Sequence, residues 1–584
     1  MSKPVNIVIN GAPYVASSNQ TVLEAAQDND IFIPRLCYLK DIHEEGNCRL
    51  CSIKINDQPQ LKPACRTIVS EGMRIITDDQ DIYDYTSMNL SLLANKHHFE
   101  CFKCSREDNC EFLDLLRQYD IETEFSNSFE LDHETYYHDT SGVMVIDSSK
   151  CILCGRCVSA CEKLSGLGII SFNERGSKTY VGTAQFHELK DAGCIYCGKC
   201  IQACPTGALS EKDDVVNVER ALRDPSKTVV VQVAPAVRVA LGESFGMPIG
   251  TNVEGQMFEA LRCLGFDEIF DTNFAADLTI MEEGNEFLKR IQQQGVLPMF
   301  TSCSPGWINY LELYHPEYLP NLSSCKSPQQ MTGALIKTFY AEKMSLDPKQ
   351  IVSVSIMPCI AKKGEARRKD MGRDGYQDVD YVLTTREFSR LIKRHRLDLN
   401  QLPSSKPFGM LAGYTGAGAI FGATGGVMEA ALRTVSEILE EKPTMLDFKA
   451  VRGHADVKEA SYTIAGQTIN VAVVHGGIAI KMFLDYLKDS SKQYHFVEFM
   501  GCTGGCINGG GQPIVPAKIR DQCDVRELRA HALYAIDRQS TIRKSHKNPF
   551  VIDLYETFLG SPNSPKAHAL LHTHYTKRTP YEHI

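Results

Sequence analysis

The sequence predicts a multidomain protein that combines α+β and α/β parts. Its 584 residues exceed what one hydrophobic core usually organises. Cysteines at short, regular spacings occupy residues 37–204, whereas β-branched strand patterns alternate with helical patterns after residue 211. An apolar content of 43% and a charged content of 23% are those of a globular protein.

Composition excludes several classes of function. The formal net charge of −10 argues against nucleic-acid binding. No stretch reaches the ~18 uninterrupted apolar residues that a membrane span needs, and the N-terminal residues have neither signal-peptide nor transit-peptide composition. We therefore expect a cytoplasmic protein without nucleic-acid or membrane partners. In a reducing compartment its 22 cysteines favour metal binding over disulfides.

Residues 1–80 are predicted to form a small β-rich domain. Strand patterns at Val5–Ile9 and Tyr14–Ala16 flank an Asn10-Gly11 turn, and Thr21 can cap a following helix. A Cys-x2-Cys pair, with one thiol well before it and one well after, can hold a two-iron cluster; the four thiols are Cys37, Cys48, Cys51 and Cys65. The layout resembles plant-type ferredoxins, although its first gap is longer, and implies a β-grasp fold. A structural zinc site is the alternative.

Residues 81–125 contain three cysteines, one fewer than a four-iron cluster requires. These are Cys101, Cys104 and Cys110. A fourth protein ligand is needed, and the candidates are His97, four residues before the first cysteine, and its neighbour His98. An ordinary helix histidine is the alternative. Neutral imidazole in place of a thiolate removes negative charge and should raise the reduction potential.

Residues 126–210 carry the run Cys-x2-Cys-x2-Cys-x3-Cys twice. This is the bacterial two-cluster ferredoxin pattern, in which the fourth cysteine of each run ligates the other cluster. The ligands predicted for the first [4Fe–4S] cluster are Cys151, Cys154, Cys157 and Cys204. Those predicted for the second are Cys194, Cys197, Cys200 and Cys161. Zinc is the weaker alternative.

Residues 211–584 are predicted to form a large α/β domain. Its strand patterns are Thr228–Val233, Val352–Ile356, Tyr381–Leu383 and Ile469–Val474, with a helix pattern at Gly255–Leu264. Open α/β sheets bind ligands beyond the carboxyl ends of their strands. Cys359 follows the Val352 strand, and Cys502 follows a strand pattern at Tyr494–Glu498.

Three motifs in this domain contain residues that could bind a metal cluster or take part in catalysis. They are Thr301-Ser-Cys-Ser-Pro-Gly-Trp307, Met357-Pro-Cys-Ile-Ala-Lys-Lys363 and the glycine-rich stretch from Glu498 to Pro513, which contains Cys502 and Cys506. A glycine-rich turn with two buried thiols is the alternative for the last motif. Together the motifs resemble the active-site signatures of the iron-only, or [FeFe], hydrogenases of the monomeric clostridial type with four accessory iron–sulfur clusters. The resemblance extends over nearly the whole chain.

The resemblance implies an H-cluster, in which a [4Fe–4S] cube is joined through one cysteine to a two-iron unit carrying CO, cyanide and azadithiolate. The implied cube ligands are Cys359, Cys502 and Cys506, and Cys506 would bridge to the two-iron unit. Lys362 would hydrogen-bond an iron-bound cyanide; an ordinary surface lysine is the alternative. The other contacts implied are Ala234, Pro235, Ser327, Pro328 and Gln329, with a dry wall formed by Met357, Phe421 and Met500.

The resemblance also assigns the accessory clusters, three [4Fe–4S] and one [2Fe–2S]. It places His97 at the fourth position of the histidine–tricysteine site, which has one histidine and three cysteine ligands, as in hydrogenases and in the large iron–sulfur subunit of respiratory complex I. The longer first gap of the N-terminal cysteines matches the same two families.

The chain departs from the family pattern at Ser304. The family has two adjacent cysteines after Thr-Ser, of which the first relays protons and the second is the fourth ligand of the cube. This chain has Cys303 followed by Ser304. Three outcomes stay open. Ser304 ligates through oxygen, Cys303 ligates and Ser304 relays, or one iron lacks a protein ligand. A hydroxyl is far less acidic than a thiol and is the poorer iron ligand.

A proton route is also implied by the resemblance. It runs from Cys303 through Glu283, Ser323 and Glu286 to Arg290. The two glutamates are three residues apart, and Arg290 is four residues beyond the second, so on a helix they share a face. A solvated acidic helix with an ordinary salt bridge is the alternative.

The function implied is reversible reduction of protons to H2, with electrons relayed through the accessory clusters. The expected partners are a ferredoxin or a similar small carrier and the proteins that mature the cofactor, and a monomer is expected. One alternative is a hydrogenase-like iron–sulfur protein without the two-iron unit, active in iron–sulfur assembly. A second is an electron-transfer subunit of the complex I type, which would explain residues 1–210 alone.

Overall fold

The computed structural model describes residues 3–56, 58–122, 137–140, 142–406, 409–440 and 446–581. The chain divides into two compact units. The first comprises Met1–Ala192, Lys199–Ser210 and Ile514–Asp521, and the second Gly193–Gly198, Glu211–Pro513 and Gln522–Ile584. The predicted domain boundary at residues 125 and 126 lies outside the described residues.

A five-stranded sheet begins the first unit. The predicted hairpin is confirmed, because Asn10 and Gly11 adopt φ values of 50° and 82° between two antiparallel strands. Thr21 caps the next helix, and its hydroxyl and Glu24 form a capping box. In spatial order the strands are Ala12–Ser17, Pro4–Ile9, Met73–Ile76, Ser52–Ile55 and Lys62–Pro63.

The two cysteine runs have the same local backbone. Leu153 in the first run and Tyr196 in the second adopt φ values of 52° and 57°, and the glycines two residues later adopt 84° and 71°. A short helix begins just after each glycine, so the internal repeat is structural as well as sequential. The longer helices of the first unit are Val22–Asp28, Gln80–Ala94, Glu111–Gln118 and Arg156–Lys163.

The second unit contains a fully parallel four-stranded sheet. In spatial order its strands are Glu268–Asp271, Thr228–Val233, Ile351–Met357 and Tyr381–Thr384. The predicted strands in this sheet are confirmed. Their side chains are buried almost without interruption, as expected for strands covered on both faces.

A second sheet orders Met299–Phe300, Phe496–Met500, Gln467–His475 and Val457–Ile464. The last pair is antiparallel and the other pairs are parallel. The strand predicted at Tyr494–Glu498 lies two residues later, at Phe496–Met500, and the charged Glu498 is buried inside it rather than at its end.

Helices surround the two sheets, and none of those described is long and apolar enough to cross a membrane. The predicted Gly255–Leu264 helix is confirmed as Glu254–Cys263. The longest, Thr272–Gln292, carries the acidic residues and is buried along most of its length. The others near the site are Pro305–Tyr314, Pro328–Leu335, Ala361–Ala366, Gly426–Glu440, Val525–Gln539 and Pro565–Leu571.

Candidate active site

One cavity in the second unit collects nearly all the residues predicted for the catalytic centre. The space between its walls, including the open mouth, is about 740 Å³. The predicted residues in its wall are Ala234, Pro235, Cys303, Ser304, Pro328, Gln329, Met357, Cys359, Lys362, Phe421, Met500, Cys502 and Cys506.

Several residues of this cavity wall lie at the carboxyl ends of strands. Ala234 directly follows the Thr228–Val233 strand, and Met357 and Met500 are the last residues of two other strands. The carboxyl ends of parallel strands meet at one edge of a sheet, which is where open α/β folds bind ligands. The predicted placement of the cysteine motifs is therefore observed, except that both methionines lie within their strands.

The glycines of the last motif allow close backbone approach. A Cβ at Gly509 would lie 2.2 Å from the carbonyl oxygen of Pro358, and one at Gly505 would lie 2.7 Å from the amide nitrogen of Thr424. Gly505 also adopts a φ of 89°. Only glycine fits both positions, and the first contact joins the Cys506 loop to the residue before Cys359.

The thiols fit an iron–sulfur group better than they fit an empty protein interior. Burial raises the pKa of Cys359 well above its usual range and that of Cys506 to about 12. These side chains can therefore lose their protons and become thiolates only when a cation, such as a metal ion, lies next to them. Four cysteines and the Ser304 hydroxyl line this apolar cavity, and thiolates in such a setting are the ligands that iron–sulfur clusters prefer; the cysteines are Cys303, Cys359, Cys502 and Cys506.

Ser304 faces the thiols. It precedes the Pro305–Tyr314 helix, yet its side chain makes no helix-capping hydrogen bond, although serine at this position usually does. Instead the Ser304 hydroxyl oxygen accepts from the Gly501 amide at 3.2 Å. This contact places the hydroxyl beside the residue that precedes Cys502.

Lys362 is buried, so the surface-lysine alternative is wrong. Its Nζ donates to the carbonyl oxygen of Cys303 at 3.1 Å and to Glu365 Oε2 at 2.9 Å. The ammonium is thus held at the cavity wall by two acceptors and keeps a third donor.

Glu365 is a site residue that the sequence analysis missed. Its Oε2 also accepts from the Ser327 hydroxyl at 2.9 Å and from Gln329 Nε2 at 3.1 Å. One carboxylate oxygen therefore fixes three side chains predicted to contact the cofactor. Ser327 itself does not line the cavity, so its link to the site is its hydrogen bond to Glu365. The spacing Lys362-x2-Glu365 on a helix is the signal that could have found it.

We expect Glu365→Gln to weaken retention of the iron–sulfur group predicted for this cavity. The amide offers one acceptor oxygen of lower charge for three donors, so Lys362 would lose its buried counter-charge. Charge-assisted hydrogen bonds contribute roughly 1.5–3 kcal/mol each, so we expect at least about a tenfold loss of activity. The measurement is the iron content and activity of the matured protein, with Glu342→Gln at an exposed position as control. Equal values for the two variants would contradict this role.

Glu283 is buried with only 2% of its surface exposed, and neither of its carboxylate oxygens makes a hydrogen bond. Burial raises its pKa to about 8, and Glu286 adds to the shift, while the nearby Ser323 hydroxyl opposes it. The solvated-helix alternative is therefore wrong for this residue.

Glu286 connects to the remaining predicted relay groups. Its Oε2 accepts from the Ser323 hydroxyl at 2.9 Å, and its Oε1 accepts from Arg290 at 2.6 Å. Arg290 also donates to the carbonyl oxygen of Leu322 at 2.6 Å. Cys303 at the cavity end has a pKa raised well above its usual range by burial and next by Glu283. Ser323, Glu286 and Arg290 are thus joined in the predicted order, and the inner part of the route from Cys303 to Glu283 stays a prediction.

A cavity in the first unit collects the residues of the histidine–tricysteine site, and its wall includes His97, His98, Cys101, Cys104 and Cys110. His97 Nδ1 is buried without a hydrogen-bond partner, and burial lowers the pKa of the ring to about 4. The ring is neutral at neutral pH, as a metal ligand must be. His98 is exposed and lies 3.6 Å from Glu100, so the structure favours His97.

The first predicted [4Fe–4S] ligand set lines another cavity of the first unit, which contains Cys151, Cys154, Cys157 and Cys204. The Leu153 amide donates to Cys151 Sγ at 3.4 Å. In the second run the Tyr196 amide donates to Cys194 Sγ at the same distance. Of the other second-cluster ligands, Cys197 lies in the second unit with Cys194, whereas Cys200 and Cys161 lie in the first.

The four N-terminal cysteines form two close pairs. Cys51 Sγ lies 3.3 Å from Cys65 Sγ, and the Cys48 amide donates to Cys37 Sγ at 3.4 Å. Three of the thiols are buried and Cys48 is half-buried. The arrangement fits the small two-iron cluster.

Comparison with known proteins decides the family. The chain is 43% identical to iron hydrogenase 1 of Clostridium pasteurianum over 98% of its length, and it covers 100% of that protein. The chain belongs to the iron-only, or [FeFe], hydrogenase family. It is therefore an oxidoreductase that acts on H2 and contains iron–sulfur clusters and an H-cluster.

Other comparisons agree with this assignment. The model of the iron-only hydrogenase large subunit, C-terminal domain, matches residues 227–510, and that of the iron hydrogenase small subunit matches residues 523–578. A 2Fe-2S iron–sulfur cluster binding domain matches residues 2–80, and a 4Fe-4S dicluster domain matches residues 150–208. Ferredoxin-like iron–sulfur domains thus accompany a large α/β hydrogenase domain.

One further relative matches nearly the whole of this [FeFe]-hydrogenase, and a solved structure matches about two thirds of it. The NADP-reducing hydrogenase subunit HndD of Solidesulfovibrio fructosivorans is 41% identical, over 98% of this chain and 99% of its own length. A solved variant of the Chlamydomonas reinhardtii [FeFe]-hydrogenase is 40% identical with a TM-score of 0.57, over 63% of this chain and 99% of its own.

Proposed function

We propose that this hydrogenase catalyses 2H⁺ + 2e⁻ ⇌ H2 at an H-cluster held by Cys359, Cys502 and Cys506. The observation that carries the proposal is the single cavity that brings these thiols together with Ser304 and Lys362. When bound, the H-cluster supplies the redox chemistry of proton reduction. The protein supplies its ligands, a dry pocket, and the paths for protons and electrons.

Ser304 is proposed as the fourth protein contact of the cube, with Cys303 left to carry protons. The hydrogen bond from the Gly501 amide supports this division, because it directs the hydroxyl toward the strand end that leads to Cys502. Lys362 would donate its remaining N–H to an anionic ligand of the two-iron unit. Met357, Phe421 and Met500 would exclude water from it.

The proton path is proposed to run through buried groups. The Cys303 thiol releases its proton into the cavity and recovers one from the Glu283 carboxylic acid. Glu283 is reprotonated by the Ser323 hydroxyl, which takes a proton from Glu286 in the same step, and Glu286 receives that proton from solvent near Arg290 at the outer end. A carboxyl group with a pKa of about 8 is protonated near neutrality and can both give and accept.

The electron path is proposed to reach the H-cluster through the second cysteine run. A Cβ at Gly510 would lie 2.3 Å from the carbonyl oxygen of Cys197, and one at Gly198 would lie 2.4 Å from Ile360. Ile360 directly follows Cys359. The backbone of Cys197 thus approaches the loop after Cys506, and that of Gly198 approaches the residue after Cys359. This proximity supports electron transfer at that point.

The proposed domain arrangement follows the cluster ligands. It comprises a [2Fe–2S] β-grasp domain at 1–80, a histidine–tricysteine [4Fe–4S] domain at 81–125, a two-cluster ferredoxin domain at 126–210 and the H-cluster domain at 211–584. Its cofactors are three accessory [4Fe–4S] clusters, one [2Fe–2S] cluster and one H-cluster. The proposed partners are a ferredoxin or a similar small carrier and the maturation proteins, and the protein is proposed to be a cytoplasmic monomer.

Infrared spectroscopy of the matured protein tests the proposal. CO and cyanide stretches that shift under H2 are expected from an assembled and reactive H-cluster. A preparation with intact accessory clusters by electron paramagnetic resonance and no such bands would refute it. That result would favour an iron–sulfur protein without the two-iron unit.

A separate prediction concerns His97. We expect His97→Cys to lower the reduction potential of the cluster in the histidine–tricysteine site, because a thiolate adds the negative charge that neutral imidazole lacks. Redox titration followed by electron paramagnetic resonance measures the potential, and His98→Cys is the matched control because that ring is exposed. An equal effect in both variants, or an effect in His98→Cys alone, would contradict the assignment of His97.

A further inference from the structure

A buried arginine joins the loops of two predicted clusters in the first unit. The side chain of Arg156 is only 1% exposed, and the residue lies within the cysteine run of the first [4Fe–4S] cluster. Its Nη2 donates to the carbonyl oxygen of Tyr38 at 2.9 Å. Tyr38 directly follows Cys37, a predicted ligand of the [2Fe–2S] cluster. One guanidinium therefore belongs to the loop of one cluster and contacts the loop of the other.

The same two loops also meet at a second point. Asn47 Nδ2 donates to the carbonyl oxygen of Cys154 at 3.3 Å. A Cβ at Gly155 would lie 2.8 Å from Cε1 of the His43 ring, so the backbone of one loop packs directly on a side chain of the other. A single group of packed, buried apolar side chains contains both Cys37 and Cys154. The two predicted clusters are therefore close neighbours.

Arg156 brings a fixed positive charge to this place. Burial acts to lower the pKa of its guanidinium, but Glu111 and the Cys154 thiol raise that pKa above its usual value, so the group stays charged. A cluster held by four thiolates has a net negative charge and gains one more on reduction, and net charge and hydrogen bonds to sulfur set its reduction potential. A buried cation beside two such clusters stabilises their reduced states.

Glu111 is the counter-ion of Arg156. Nη1 of the arginine donates to its two carboxylate oxygens at 2.9 and 3.0 Å. The glutamate side chain is 24% exposed, whereas that of the arginine is 1% exposed, so water screens the negative charge more than the positive one. Nε of the arginine is buried and has no hydrogen-bond partner among the residues that the structure describes. The pair therefore presents a net positive charge to the buried side.

We propose that Arg156 is a shared counter-charge that raises the reduction potentials of the [2Fe–2S] cluster and of the first [4Fe–4S] cluster. It is not a cluster ligand and acts on the clusters through its charge. Glu111 opposes the effect from the more exposed side. The inference rests on the proposed function, because it takes both clusters to be held by the predicted cysteines. It names a residue that sets how readily electrons occupy the accessory clusters.

The test is a redox titration of the full-length protein with its clusters assembled, followed by electron paramagnetic resonance. The [2Fe–2S] signal is recorded at a temperature at which the faster-relaxing four-iron clusters give no signal. We expect Arg156→Gln to lower the midpoint potential of this cluster by about 59 mV or more, which is a tenfold change in a one-electron equilibrium. Arg74→Gln removes the same charge at an exposed position of the five-stranded sheet, where water screens it, and should leave the potential unchanged.

Two further variants separate charge from packing. Arg156→Lys keeps the charge and should hold the potential near the parent value, whereas a fall equal to that of Arg156→Gln would assign the effect to lost packing and overturn the inference. Glu111→Gln removes the opposing carboxylate and should raise the potential. If Arg156→Gln loses its clusters, Glu111→Gln carries the test, and an unchanged or lower potential there would overturn the inference.

The parent protein separates this inference from the function on which it rests. A parent preparation without any [2Fe–2S] signal would refute the proposed cluster itself. A parent-like potential in Arg156→Gln, with the signal intact in both proteins, would overturn only the role of Arg156. The two failures are therefore distinguishable.

Discussion

Glu283→Gln is expected to reduce H2 production by about two to four orders of magnitude, the range that a positioned acid or base contributes. Glutamine has almost the same shape but holds no transferable carboxyl proton. Because glutamine keeps the size of the side chain and one oxygen that can accept from the nearby Ser302 amide or Ser323 hydroxyl, the substitution should disturb the fold little. The loss should therefore appear in turnover and leave assembly unchanged.

The measurement is dye-driven H2 production by matured protein, with infrared bands confirming equal H-cluster content. Glu342→Gln, at an exposed position on another helix, is the control and should retain parent activity. A Glu283→Gln variant with intact bands and parent turnover would show that protons reach the cavity by another way.

The same residue predicts a pH dependence. Its pKa of about 8 is raised from an ordinary value of 4.5, so the group stays protonated across the neutral range. H2 production needs a protonated donor and should fall as pH rises through about 8, whereas H2 oxidation needs a free acceptor and should rise there. This step should be missing from the residual activity of Glu283→Gln. A step that persists would belong to another group.

The metal sites were the most predictable part of the molecule. A cluster imposes fixed distances between its ligands, so Cys151, Cys154 and Cys157 must occur at short spacings that stand out in sequence. The strands of the parallel sheet were predictable for a similar reason, since strands covered on both faces need continuous apolar runs. Those runs do not mark their own ends, which is why Met357 was placed just beyond the strand that contains it. Met500 was also placed beyond its strand, because the buried Glu498 has the sequence signature of a strand end.

The polar shell of the site was less predictable. Glu365 makes buried hydrogen bonds to Ser327 and Gln329, which are distant in sequence, and a sequence with many glutamates does not say which of them are buried. The second sheet combines parallel strands with the antiparallel Val457–Ile464 strand, a pairing that strand patterns alone do not determine. Sequence therefore predicted which cysteines would gather around the cavities, and the structure was needed to find the polar groups beside them.

Ser304→Ala is expected to remove the fourth protein contact of the cube and to reduce iron retention and activity together. Loss of even an outer partner of a metal ligand typically costs about 10- to 100-fold, so a lost ligand should cost at least that much. Ser304→Cys should retain iron longer than the parent, because a thiol with a pKa near ~8.5 forms the ligating anion far more readily than a hydroxyl. Iron content after exposure to a chelator measures both effects.

Comparison of Ser304→Ala with Cys303→Ala then shows which of the two residues binds the cube and which relays protons. If the serine ligates, Ser304→Ala loses iron, while Cys303→Ala keeps its iron and its infrared bands but loses turnover. If the backbone turn shifts so that Cys303 ligates, the pattern reverses. If neither variant loses iron, the cube has an iron without a protein ligand. The hydrogen bond from Gly501 to the Ser304 hydroxyl favours the first pattern, because it already holds the oxygen at the strand end that leads to Cys502.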